Sequence, residues 1–335
     1  MNYYTTLNNQ TYTLGDYSIV PIRDEDKWNI MKWRNEQIYH LRQAKPLTEQ
    51  DQERYFADVV SKLFLQEKPS QLLFSYLYKN ESIGYGGLVH INWADKNAEI
   101  SFIMDTQLEP EQFHHHWSVF LFLIEKIAFI ELAFHKIFTY AFDIRPHLYE
   151  VLERSNYLRE AELHEHCYFD GGFKNVIIHS KVRPSLIVRT VEESDKNLIF
   201  EWANEEQTRK NSFNSEPIIF ENHSVWFDKK LQADNALYFV CEYMGTEAAL
   251  VRFDLDEEYA TIGIIIAKDF RGQGLALSCI RECCGVFRFY SDKPIHAYIK
   301  PENIASKKSF EKAGFTYKGN QYINNIEALV YENDK

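Results

Sequence analysis

The chain has 335 residues, 45% of them apolar and 15% aromatic, with a formal net charge of −12. That is more chain than one hydrophobic core usually serves, so two domains are expected. The acidic balance speaks against broad nucleic-acid binding, which needs clustered Lys and Arg, but it leaves room for an anion held at a local site.

Met1 to Gln10 is polar and lacks the basic and apolar regions of a signal peptide. His114, His115 and His116 are contiguous, so on a helix their side chains fan out instead of converging on a metal. Trp117 to Phe134 is the most membrane-like run, but Glu125, Lys126 and Glu131 interrupt it. A mostly buried helix is expected there, not a span. His164 and His166 share one face of a strand, which is too few ligands for zinc. Cys167, Cys241, Cys279, Cys283 and Cys284 show no paired spacing, so a reduced, cytoplasmic protein is expected, without metal or membrane association.

The two halves repeat one pattern. Asp26-Lys27 and Trp33-Arg34-Asn35-Glu36 recur 169 positions later as Asp195-Lys196 and Trp202-Ala203-Asn204-Glu205. Further on, Ala98-Glu99-Ile100 faces Ala260-Thr261-Ile262, and Glu153 to Tyr157 faces Glu311 to Phe315. The period is too long for a solenoid and predicts a duplicated domain, residues 1–183 and 186–335, jointed near Arg183-Pro184-Ser185.

In the second half a strand is expected at Ile187 to Thr190, then helices around Asn197 to Trp202 and Ile219 to Leu231. Strands follow at Tyr238 to Tyr243 and Ala248 to Phe253, and Ile262 to Ala267, a continuous apolar and mostly β-branched run, reads as a central strand. Arg271-Gly272-Gln273-Gly274-Leu275-Ala276 then opens a helix running to about Phe289. A strand at His296 to Lys300 and a short helix from Asn303, ended by Gly314, complete the pattern.

A strand, a glycine turn and a helix make an anion site. Backbone N–H groups converge on the ligand, the helix N-terminus adds partial positive charge, and glycine permits close approach. Arg271 offers a full charge. An ordinary turn is the plain alternative. A Rossmann site fits less well, since Leu277 stands where its third glycine belongs and several strands precede the turn.

Arg271, Gly274 and Ala276 resemble the acyl-CoA signature Gln/Arg-x-x-Gly-x-Gly/Ala of the GNAT superfamily of N-acetyltransferases. Asn303-x-x-Ser306, followed by Phe310 and Gly314-Phe315, is similar to its second signature. The resemblance implies an α+β fold of two tandem domains, each a mixed, mostly antiparallel sheet flanked by helices and splayed beside the cofactor. It implies acetyl-CoA as co-substrate. The pyrophosphate would lie on the N–H groups of Arg271, Gly272, Gln273, Gly274, Leu275 and Ala276. The pantetheine arm would run along Ile264, Ile265 and Ile266, with Asn303, Ser306 and Phe310 beside it. Where the family often supplies a Tyr as general acid this chain has Phe310, so Ser306, Ser309 or water would stand in. Asp254 and His223 are the candidate bases; His296 and Tyr298 remain open.

In the first half the matching turn is Glu109-Pro110-Glu111-Gln112, without glycine, short of one N–H at Pro110 and doubly acidic; Arg145 stands where the second half has Asn303. This half resembles the ribosomal-protein acetyltransferase branch, whose candidate base is kept as Glu99, and it is expected to have lost ordinary CoA binding. In the second half Trp202, Asn204, Arg209, Ser212-Phe213, His223 and Trp226 resemble acetyltransferases of nucleotide-linked 4-amino-6-deoxy sugars. That implies Asn204, Arg209 and Trp226 as substrate-binding residues and a small-molecule amine as partner. A protein N-terminal acetyltransferase and a non-catalytic CoA- or partner-binding module are the alternatives, and core packing is the plain reading of the aromatic residues.

Overall fold

The computed structural model describes residues 3–334, which divide between Arg183 and Pro184 into two compact units. In the first, strands β1 (Tyr12–Leu14), β2 (Tyr17–Pro21), β3 (Leu72–Tyr78), β4 (Glu81–Asn92), β5 (Asn97–Met104), β6 (Lys136–Phe142), β7 (Leu158–Phe169) and β8 (Gly172–Val182) form one sheet. Its order is β1-β2-β3-β4-β5-β6-β8-β7, and only β5 and β6 run parallel. Helices α1 (Lys27–Glu36), α2 (Glu49–Tyr55), α3 (Glu109–Glu125) and α4 (Pro146–Arg154) accompany it.

The second unit repeats the plan. Strands β9 (Leu186–Thr190), β10 (Ala236–Tyr243), β11 (Thr246–Leu255), β12 (Ala260–Ile266), β13 (Ile295–Ile299), β14 (Thr316–Ile323) and β15 (Ile326–Asn333) lie in the order β14-β15-β13-β12-β11-β10-β9. Again one neighbouring pair, β12 and β13, is parallel. The helices are α5 (Lys196–Asn204), α6 (Glu206–Asn211), α7 (Phe220–Leu231), α8 (Leu275–Phe287) and α9 (Ile304–Lys312). Each unit is thus a mixed, mostly antiparallel sheet flanked by helices.

Local sequence explains the elements around the future site. α8 buries Leu275, Cys279, Ile280, Cys283, Val286 and Phe287, a single stripe at helical spacing. Cys241 on β10 packs against it, its Sγ 3.6 Å from that of Cys283, and all five thiols are free. α9 is capped by the Asn303 side chain, which accepts from Ser306 N at 3.1 Å. It ends at Gly314, whose φ of +96° lets Phe315 N–H reach back to the Phe310 carbonyl.

One expectation needs amending. Trp117 to Phe134 is not one uniform helix: α3 ends at Glu125 and a π-turn at Lys126–Glu131 follows, with Lys126 bonded to Thr13 O and Glu125 to Lys181. Among the described residues no helix is long and apolar enough to cross a membrane. The run Ile262 to Ala267 is central in the sheet, as expected, yet Gly263 to Ile266 are only half-buried. The reason is topological: β12 pairs with β13 only at Ala260, Thr261 and Ile262, and beyond that one edge of β12 is open.

Candidate active site

The end of that pairing makes a cleft. Past Ile262↔Ala297 the two parallel strands have no further ladder contact, and a cavity of about 1200 Å³ occupies the second unit there. β12 stays bonded to β11 along its whole length. Ala267 N–H donates to Ala248 O on the β11 side, so alternation sends the N–H groups of Ile264 and Ile266 to the opposite, open edge. Ile264, Ile265 and Ile266 all line the cavity.

The glycine turn stands at the end of this edge. Gly272 and Gly274 have φ of +77° and +79°, a region that penalises any side chain, and a Cβ on either would meet no atom within 4 Å. Glycine is therefore required by backbone conformation, and the space beside it is open to a ligand. Gly274 caps α8 without a side-chain bond, and the first N–H groups of the helix, at Leu275 and Ala276, have no intrahelical partner. Gly272, Gly274, Leu275 and Ala276 line the cavity; Gln273 does not, its amide donating to Asp269 O at 2.9 Å. These donors fit a pyrophosphate, and the open edge of β12 fits an amide-bearing arm.

Arg271 corrects an expectation. Its guanidinium does not offer a free charge to the turn: Nε donates to Ile266 O at 3.0 Å, and Nη2 to Glu205 Oε2 at 2.7 Å and Thr208 Oγ1 at 3.1 Å. Arg271 in turn holds the Glu205 carboxyl down to about 2. Glu205 also caps α6 by accepting from Thr208 N at 3.0 Å, so this pair ties the glycine turn to α6. Glu205 drew notice in the sequence only as a repeat identity; its place at an N-cap was the available signal.

On the opposite wall Asn303, Ser306, Ser309 and Phe310 line the cavity. Asn303 spends its side-chain oxygen on Ser306 N. Ser309 donates its hydroxyl to Ala305 O at 2.9 Å, which commits the proton it was expected to offer a leaving group. Phe310 is buried against Phe315, ring centroids 5.0 Å apart. Tyr298, also lining, sits just past the last strand pair; burial and then the neighbouring Tyr259 hydroxyl hold its phenol above the ordinary value, so it keeps its proton.

The acceptor-side residues fare unevenly. Trp226 and His223 on α7 line the cavity. Trp226 is half-buried against Tyr238, 5.8 Å away, and also packs on the core of Ile199, Phe227 and Leu250. His223 is buried among Phe200, Phe220, Trp226 and Phe227 and bonds through Nε2 to Lys196 O at 2.9 Å. Burial lowers its pKa, so the ring is neutral at pH 7 and its free lone pair is on Nδ1. Asp254 does not line the cavity. It accepts from Lys230 at 2.5 Å and from the Tyr238 hydroxyl at 2.9 Å, tying α7 to the sheet, which is a structural occupation. Asn204 also stands outside the lining, both ends of its amide engaged with the Ile218 backbone at 2.9 and 2.7 Å. Arg209 lines the cavity, but most of its donors are spent on Ala203 O, Asn214 O, Glu216 O and Ser212 Oγ.

Among the lining residues that escaped the sequence reading are Arg252 on β11, Gly263 on β12 and the buried Lys300, whose Nζ donates to Lys210 O at 2.8 Å. The one glycine inside an isoleucine-rich strand was the missed signal. Gly263 pairs across from Arg252, and a Cβ there would lie 2.7 Å from Arg252 Nε.

In the first unit β5 and β6 pair only from Asn97 to Glu99, so the same divergence begins. Here α3 starts at Glu109 with no glycine turn. Arg145, the N-cap of α4, donates to Glu109 Oε1 at 2.7 Å, both side chains being largely buried. Gln37 Nε2 takes the Met104 carbonyl at 2.8 Å. Glu99 is buried between Arg42, 2.5 Å away, and His90, 2.8 Å away. The His114–His116 side chains go to separate partners: Glu150, the Tyr17 hydroxyl, and Tyr76 with Gln112.

Comparison with known proteins bears on both units. Two family profiles described as acetyltransferase (GNAT) domain match the chain, at residues 19–172 and 185–316. A search of curated proteins returned no match. Among solved structures, a spermidine N-acetyltransferase from Vibrio cholerae in complex with CoA and spermine is 15% identical at a TM-score of 0.45, covering 50% of this chain and 96% of that one. An aminoglycoside acetyltransferase in complex with coenzyme A is 16% identical at a TM-score of 0.40, covering 44% and 94%.

Proposed function

Because the chain belongs to the GNAT acetyltransferase superfamily, with two such domains in tandem, and is accordingly an acetyl-CoA-dependent N-acyltransferase, we propose that its second domain acetylates the primary amine of a nucleotide-linked amino sugar. The observation that carries this reading is the continuity of one cavity. It is lined by the glycine turn and the open β12 edge and also by Asn211, Asn214, Asn222, Tyr298 and Trp226. Neutral amides and a hydroxyl bond sugar hydroxyls, and an aromatic face packs on a sugar or base ring.

Acetyl-CoA supplies an acyl carbon activated as a thioester. The residues that hold it in this reading are Gly272 to Ala276, whose N–H groups take the pyrophosphate, and Ile264 and Ile266, whose N–H groups pair with the arm. Asn303, Ser306 and Phe310 form the facing wall. As the amine nitrogen forms its bond to the acyl carbon, the carbon–sulfur bond breaks and the sulfur takes up a proton. Tyr298, protonated and at the apex of the cleft, is the donor this reading assigns in place of the absent Tyr at Phe310. His223, neutral and with Nδ1 free, is the assigned acceptor for the amine's proton. Asp254 and Asn204 are given no chemical role, since Lys230, Tyr238 and Ile218 occupy them. Arg209 and Trp226 remain as acceptor-side residues.

Thiol release from acetyl-CoA tests the proposal, with UDP-linked 4-amino-6-deoxy sugars set against peptides with free N-termini. Release with the sugars alone is expected. Release with peptides alone would replace the sugar by a protein N-terminus, and silence with both would refute each acceptor.

A further inference from the structure

Four cationic side chains line the second-domain cavity, Arg209, Arg252, Arg271 and Lys300, against one carboxylate, Glu302. In a chain of net charge −12 that local excess needs an explanation. Arg271 is neutralised by Glu205. Lys300 is largely buried and turned to a backbone carbonyl. The two that remain form no ion pair with any described carboxylate. Arg209 is fixed by carbonyl and hydroxyl partners alone. Arg252 has Asp254 two residues along its strand, but Lys230 and Tyr238 already occupy that carboxylate.

These two arginines are close enough to feel each other. Arg209 is held below the ordinary guanidinium value, first by burial and then by repulsion from Arg252. The position of Arg252 is built by the sequence. Its side chain lies over Gly263, with Nε 2.7 Å and Cγ 3.3 Å from where a Cβ would stand. Gly263 is the first residue of β12 past its last pair with β13, so the guanidinium crosses the strand where the cleft opens. Two uncompensated guanidinium groups on one cavity repel until an anion lies between them, and arginine's planar fork matches phosphate oxygens.

We infer that Arg252 and Arg209 form an anion subsite at the acceptor end of the cavity, that it takes a phosphate group of the acceptor, and that Arg252 sets acceptor specificity. Arg252 supplies a fork that no carboxylate neutralises, its hydrogen-bonding neighbour being the Tyr238 hydroxyl across the ladder, while Arg209 supplies charge and at most one remaining N–H. The inference rests on the nucleotide-linked acceptor proposed above, and it adds which side chains take that acceptor's phosphate.

The test is calorimetry on the full chain with CoA saturating, so that the cofactor's own pyrophosphate site is filled. UDP and uridine are titrated into the wild type, Arg252→Gln and Gly263→Ala. The wild type is expected to bind UDP at least tenfold tighter than uridine, and Arg252→Gln to lose that preference. Gly263→Ala should lose it too, with Arg252 still present, because the new Cβ displaces the guanidinium. CoA titrations of each variant check that the cofactor site survives; Arg252→Lys, which keeps the charge without the fork, replaces any variant that fails there and should show a weakened preference. A wild type indifferent to the diphosphate, or an Arg252→Gln protein with undiminished preference, overturns the subsite. Arg252-dependent UDP binding without turnover of UDP-linked amino sugars would refute the proposed acceptor and leave the subsite standing.

Discussion

Gly274→Ala separates what the backbone requires from what the ligand requires. Gly274 has φ of +79°, and a methyl group placed on its Cα would have no atom within 4 Å, so alanine meets strain but no clash in the free protein. A left-handed non-glycine residue costs roughly 1–2 kcal/mol, which for a domain of this size lowers Tm by about 4 °C. Gly285 is the control. It too has nothing within 4 Å, but it is exposed in the interior of α8 with ordinary helical backbone. There alanine should stabilise by about 1 kcal/mol, the helix-propensity difference. Thermal melts should therefore move in opposite directions. Acetyl-CoA then widens the gap: at about 100 times Kd it stabilises a competent site by about 2.7 kcal/mol, and Gly285→Ala should show that rise in full. Gly274→Ala should not, because its methyl takes the space beside the N–H groups assigned to the pyrophosphate. An equal ligand-induced rise in both variants would refute that assignment.

Calorimetry with acetyl-CoA should give one site per chain, and two sites would show that the first domain also binds. Asp254→Asn should leave kcat within a few-fold and cost at most about 1 kcal/mol, since the partly exposed Lys230 pair is a weak one; a hundredfold loss of kcat would return Asp254 to the chemistry. The first domain should lose stability in acid. Burial, with Arg145 adding, holds His40 down to about 3, and burial with His115 holds His116 down to about 4. Both stay neutral while the unfolded chain takes up protons below its ordinary value near 6.5, so the contribution is complete above that pH and is lost on the way down to about 4 for His116 and about 3 for His40. At about 1.4 kcal/mol per pH unit, His116 alone accounts for roughly 3 kcal/mol, and urea melts of His116→Gln should be correspondingly flatter between pH 7 and 4.

Much of the fold was legible because it rests on local rules. The constant repeat offset, the isoleucine-rich strand and the Gly272/Gly274 turn are short-range patterns, and strands and helices stand close to where those patterns put them. What escaped lies in long-range pairing. β14 and β15 went unread: Thr316 to Ile323 is mostly exposed and shows no apolar alternation, being held by its ladder to β15. The partners of Arg271, Asp254 and Asn204 went unread for one reason. A sequence shows that a polar group exists, but not that Glu205, Lys230 or the Ile218 backbone has already taken it. Arg252 was invisible for the converse reason, since only the pairing of β11 with β12 sets it over Gly263.

The contrast between the two clefts then comes down to what takes the opened edges. In both domains a parallel pair parts after three residues, and the carbonyl at the end of the first strand is claimed from within, Met104 O by Gln37 and Ile266 O by Arg271. At the mouth the same two positions of the repeat carry Glu109 and Arg145 in one domain and Arg271 and Asn303 in the other. The first pair is opposite in sign and joins across the cleft at 2.7 Å. The second is a cation and a neutral amide, which leaves the walls unlinked. A ligand entering the first cleft would have to separate a largely buried ion pair, and stranding one partner of such a pair costs about 3–5 kcal/mol. An anionic ligand would also meet Glu109 and Glu111 where the second domain presents glycine N–H groups. The Glu109–Arg145 ion pair and an acidic turn without glycine thus set the mouth of the first cleft apart from that of the second within one duplicated frame.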